Sequence, residues 1–68
     1  MQIHYKAGDD LLYVRLDDRP QEVVNRVIAE DVVLDIGAGD RIVGIEILDA
    51  SKHVDLARLL PVEYQVSS

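Results

Sequence analysis

Sixty-eight residues form one domain, spanning 1–68, and leave no room for a second. A net charge of −6, with seven basic residues scattered and none adjacent, excludes the clustered cations that nucleic-acid binding needs. The absence of cysteine removes disulfides and thiolate metal sites. No apolar run approaches a membrane span, and Met1–Lys6 lacks the apolar stretch of a signal peptide, so the cytoplasm is the expected compartment.

The core must be aliphatic. Val, Ile and Leu supply 10, 6 and 8 residues, Phe and Trp none, and the excess of β-branched side chains favours strands. Turn clusters at Ala7–Asp10, Asp17–Pro20, Ala29–Asp31 and Gly37–Asp40 divide the chain into short apolar runs. Closing the first hairpin at Ala7–Asp10 sets Lys6 opposite Leu11, Tyr5 opposite Leu12 and Ile3 opposite Val14. Ile3, Tyr5, Leu12, Val14 and Leu16 then share one face. His4 opposes Tyr13 and Gln2 opposes Arg15 on the other, and a one-residue slip would mix the two sets.

Residues 22–28 read either way. Val23, Val24, Val27 and Ile28 match a helical face, yet four β-branched residues in seven favour a strand, with Asn25 or Arg26 facing inward or a bulge intervening. The next hairpin turns at Gly37–Asp40. Pairing Ile36 with Arg41 sets Leu34 opposite Val43 and Val32 opposite Ile45, with Ile47 on the same face. Val33, Asp35, Ile42, Gly44, Glu46 and Leu48 take the other. After Leu48 the period changes. Asp49 or Ser51 is placed to cap a helix over about 50–60, which Pro61 stops. The tail, 61–68, holds an alternating stretch Val62–Val66, open between a sixth short strand and an arm over a neighbour. The expected fold is therefore α+β: a five-stranded antiparallel β-meander over 2–48 followed by one short C-terminal helix.

Tyr5, the run Leu11-Leu12-Tyr13-Val14-Arg15-Leu16, Val32-Val33-Leu34-Asp35, and above all Gly44-Ile45-Glu46-Ile47-Leu48-Asp49-Ala50-Ser51 carry a resemblance. Over about residues 3–53 the chain resembles the small bacterial proteins of domain-of-unknown-function family 2283. The resemblance implies a β-meander entering a helix, and it supports a strand at 22–28. Its Gly37–Asp40 turn departs from the family, which usually carries more acidic residues there. The family has no established activity, so the resemblance transfers no catalytic residues.

The remaining motifs have structural readings. Gly37-x-Gly39 lacks a third glycine and a following helix, and reads as a hairpin turn. Asp35 to Glu46 has the span of a calcium loop but glycines at its third and fifth positions. Asp9-Asp10 and Asp17-Asp18 suit turns. His4 is expected beside Tyr13 and His53 in solvent, and no metal site or cofactor is expected. With no cysteine and serines only at 51, 67 and 68, nucleophilic catalysis has no candidate. The weak surface candidates for a site are Tyr13, Arg15, Asp35 and Glu46, a cross-strand charge group or a recognition surface. The expected function is a non-catalytic protein-interaction module that self-associates as a dimer, with a basic protein as a further partner. The alternatives are a small-molecule site between helix and sheet, or an enzyme site formed between subunits. One short helix covers one face at most, while Leu11, Tyr13, Val33, Ile42 and Leu48 lie on the other.

Overall fold

The computed structural model describes residues 1–59 and 65–67. Six strands form one sheet: β1 (Gln2–Lys6), β2 (Leu11–Arg15), β3 (Val24–Ala29), β4 (Val32–Ile36), β5 (Ile42–Ile47) and β6 (Gln65–Ser67). Their spatial order is β3-β4-β5-β2-β1-β6. The first five run antiparallel, as the alternating apolar pattern requires, and β6 adds in parallel to β1. Of the expected tail strand, residues 62–64 lie outside the described residues.

The order corrects the expected meander. β2 pairs with β5 rather than with β3, so β2–β5 form a Greek key, three hairpin-linked strands with the fourth beside the last. The segment between Arg15 and Val24 carries the chain past the ends of β5 and β4. It is tied down where Leu16 and Asp17 donate their amides to the Val43 carbonyl at 2.8 and 3.2 Å. At the hairpin loop, a side chain on Gly37 would stand 2.8 Å from Val43 Cγ2 and closer still to Gln21. Glycine is what lets this crossing segment lie close.

The first hairpin pairs as its pattern dictates: Lys6 with Leu11, Tyr5 with Leu12, His4 with Tyr13, Ile3 with Val14 and Gln2 with Arg15. The second hairpin is displaced. Leu34 pairs with Ile45 and Val32 with Ile47, not with Val43 and Ile45 as expected. Two insertions account for it. The loop runs one residue further, Gly37 donating to the Arg41 carbonyl at 2.8 Å, and Ile36 then faces Ile42. A bulge next to that pair adds the second residue, so Asp35 faces Gly44. Because the displacement equals the side-chain period, every residue from Val32 to Asp35 keeps its expected face.

No α-helix forms among the described residues, which corrects the expected 50–60 helix. Two 3₁₀ turns, Ala50–Lys52 and Leu56–Leu59, stand in its place, and residue 60 lies outside the described residues. Neither expected cap operates: Asp49 has left-handed backbone (φ 49°), whereas a capping residue needs an extended one, and its side chain makes no capping bond. The β-branched Val54 and then Asp55 are poor helix formers, and about ten residues are too few to hold a helix on propensity alone. Over the described residues the fold is consequently all-β.

One sheet face carries two apolar rows across β4, β5, β2 and β1: Leu34–Ile45–Val14–Ile3 and Val32–Ile47–Leu12–Tyr5. Of these eight, only Leu12 is buried, at 3% exposure; the rest are half-buried. Val43 and Ala50 complete the buried apolar set among the described residues. Every residue of the edge strand β3 is exposed. Among the described residues no helix is long and apolar enough to cross a membrane.

Candidate functional site

The other sheet face carries the polar residues. Asn25, Asp35, Gly44, Arg15 and Gln2 stand in one row across β3, β4, β5, β2 and β1, and Val27, Val33, Glu46, Tyr13 and His4 in the next. Gly44 leaves a gap in the first row, and Tyr13 fills it. A Cβ at Gly44 would stand 2.8 Å from the Tyr13 Cζ and nearer its hydroxyl. Lying over the glycine, the ring carries its hydroxyl to Asp35, donating to Oδ2 at 3.0 Å. Asn25 Nδ2 donates to the other oxygen, Oδ1. Asp35 is thereby 7% exposed, more buried than its neighbour Leu34. A carboxylate at that depth requires donors, and two occupy it.

Glu46 adds a second carboxyl. Partial burial pushes its pKa above the ordinary value, and its hydrogen bond to Asp35 and the Asp35 charge push the same way. Burial likewise raises the Tyr13 phenol, and the bond to Asp35 adds to it. Of the four residues singled out in the sequence, the structure joins Tyr13, Asp35 and Glu46. Arg15 is directed elsewhere: its Nε donates to the Asp17 carbonyl at 3.2 Å. The sequence reading missed Asn25. Its signal was its place in a strand, opposite Asp35 once β3 and β4 are paired, and a glycine inside a strand was a further sign of close approach.

A second polar group joins distant parts of the chain. Asp10 takes the left-handed conformation (φ 50°) that ends the first hairpin turn. Its Oδ1 accepts from the Tyr5 hydroxyl at 2.8 Å, and its Oδ2 accepts from the Ser51 hydroxyl at 2.7 Å. The Ser51 amide also reaches Oδ1, at 3.1 Å, and the Ala50 amide donates to the Asp10 carbonyl at 2.9 Å. These bonds, that from the Ser51 hydroxyl foremost, lower the Asp10 pKa. Ser51 is thus a clasp on the first turn and not a helix cap. His53, expected in solvent, is exposed and there meets Asp31 at 2.8 Å. In the 17–20 turn, Asp17 accepts from the Arg19 amide at 3.0 Å and from its guanidinium at 2.7 and 3.0 Å, which holds its carboxyl well below the usual range.

The chemistry available to the polar face is limited. Both Asp35 oxygens are engaged, the Tyr13 hydroxyl beside them donates to Oδ2, and among the described residues no three His, Asp or Glu side chains converge as metal ligands do. What the site defines is a small all-β domain with a hydrogen-bonded carboxylate set into one face of its sheet. The chain belongs to the family described as Protein of unknown function (DUF2283), whose model matches residues 2–51. That match takes in β1 to β5 and ends on Ser51, the residue that clasps Asp10. No curated protein and no solved structure matches the chain.

Proposed function

We propose that this protein is a non-catalytic interaction module that self-associates. The observation that supports it is the apolar face: eight side chains in two rows, seven of them only half-buried. Sheets bury such a face against another layer, and a chain of 68 residues without disulfides has little other means of stabilising its core. A basic protein is the expected kind of further partner, because the chain carries a net charge of −6. The cytoplasm is the expected compartment, on the absence of cysteine.

The competing readings have less support. A small molecule between helix and sheet needs a helix, and the described residues contain only short 3₁₀ turns. An enzyme using Tyr13, Arg15, Asp35 and Glu46 needs free groups, whereas Arg15 engages Asp17 and Asp35 is occupied on both oxygens. Sedimentation velocity at low micromolar concentration tests the proposal. A dimer or larger assembly is expected, and a persistent 7.6 kDa monomer overturns it.

A further inference from the structure

Resting on the basic partner in that reading, we infer that an extended basic segment of another protein docks on the β3 edge. It pairs along Val24–Val27 and seats a Lys or Arg side chain in the groove beside Glu22. An open edge is the first observation. Among the described residues β3 pairs with β4 alone and ends the sheet, while β6, the last strand, lies at the opposite edge beside β1. Every residue of β3 is exposed, Val24 at 68% and Val27 at 69%. Edges are commonly blunted by lysine, proline, a bulge or a covering element. Here the bulge comes only after Val27, and neither lysine nor proline stands between Val23 and Ala29. Val24–Val27 is therefore a regular run whose outward amides and carbonyls offer main-chain hydrogen bonds to an added strand.

Charge names the occupant. Glu22 and Glu30 flank the strand, and Arg26 is the one charge within it. Among the described residues none of the three has an ion-pair partner. Two carboxylates against one guanidinium leave the edge acidic, in keeping with the chain's net charge of −6. The same edge of a second copy brings the same excess and is repelled, whereas a basic segment is attracted.

A groove supplies the selectivity. At the start of β3 it encloses about 410 Å³, and Glu22, Val23, Val24, Ile36 and Ala38 are among the residues that line it. Apolar walls beside one carboxylate suit the aliphatic stem and charged head of Lys or Arg.

Titration of the isotope-labelled protein with a short probe peptide of alternating Val and Thr, with Arg at both ends, tests the inference by NMR. Amide shifts centred on Val24–Val27 are expected, with intermolecular Hα contacts of a paired strand. The same peptide with Glu ends is expected not to bind at millimolar concentration. Glu22→Gln, at an exposed position, should weaken the Arg-ended peptide about three- to fivefold. Val24→Lys should abolish its binding in a protein whose other amides show the sheet intact. Equal binding of the two peptides, shifts centred on another strand, or full affinity in Glu22→Gln would overturn the inference. So would β3 shifts that follow protein concentration without peptide, which mark a second copy as the occupant. Sedimentation of the free protein reads self-association separately, so a failed titration removes the docking edge and leaves that part of the reading standing.

Discussion

Leu34 and Asp35 are neighbours in β4, and their burial is the reverse of what their side chains prefer in isolation. Asp35 is 7% exposed, covered by Tyr13 and held by Asn25, while Leu34 on the opposite face stays half-buried. The polar face achieves burial within a single layer: a tyrosine lies down in the space that a glycine leaves, and the carboxylate beneath acquires its donors. The aliphatic side chains of the other face acquire no polar partner and are buried only by what packs over them. A sheet can therefore be self-sufficient on one side and incomplete on the other. Charge and hydrogen bonding, not hydrophobicity, mark the self-sufficient side here.

The largest effect expected comes from the buried member of the apolar rows. Leu12→Ala should cost about 2–5 kcal/mol in denaturant unfolding. On the proposed self-association, Leu34→Ala should cost clearly less in dilute solution and approach that value as the concentration rises. Equal costs at every concentration would erase the distinction between a covered and an uncovered position.

On the polar face, Asp35→Ala removes the acceptor from both Tyr13 and Asn25 and should cost about 1–3 kcal/mol. Tyr13→Phe, which leaves Asp35 one of its two donors, should cost somewhat less, in the same measurement. Gly44→Ala tests the gap itself. The methyl displaces the Tyr13 ring, and a loss of about 1–3 kcal/mol is expected from overpacking. A structure of that variant with Tyr13 still on Asp35 would show that the glycine is not what seats the ring.

The smallest effects are those of pH, and the two carboxyl groups act in opposite directions. Glu46 holds its proton more tightly folded than unfolded. Its contribution is complete below about pH 4.5 and is lost as pH rises through its raised folded value. Asp10 holds its proton less tightly folded. Its contribution is present above about pH 3.8 and is lost as pH falls through the lowered folded value. Melting temperature followed from pH 2 to 8 should show both slopes. Glu46→Gln should remove the higher one, and Ser51→Ala should weaken the lower one.

Much of this comparison was legible in the residues. The alternation in 3–16 fixes the first hairpin to the residue, and the alternation in 32–47 assigns the faces of Val32–Asp35 and of Gly44–Ile47 even though their pairing lies two positions away; Ile42, expected beside Val33 and Asp35, instead pairs with Ile36 across the bulge. The period of two makes faces readable and pairing partners less so, since a bulge and a longer loop leave no mark in the alternation. Tyr13, Asp35 and Glu46 could be grouped because three strands carry them on one side. Arg15 could not be excluded, because a backbone carbonyl competing for its guanidinium has no signature in sequence. Asp10 and Ser51 meet across 41 positions, beyond any local pattern. The helix expected over 50–60 failed for a related reason: the serine suited to cap it is engaged by that distant aspartate.

The pairing of β2 with β5 also sets an order of events in time. The two hairpins, β1–β2 and β4–β5, close over short loops, and isolated hairpins form in about 1–10 μs. The seam between them joins Leu12 to Ile47 and Arg15 to Gly44, so a long stretch of chain must be ordered before any of its contacts is gained. Refolding should accordingly be limited by docking of two preformed hairpins, and it should run slower than the hairpins themselves allow. During that interval each hairpin has both an apolar face and an unpaired edge exposed, which is when this chain is most open to aggregation.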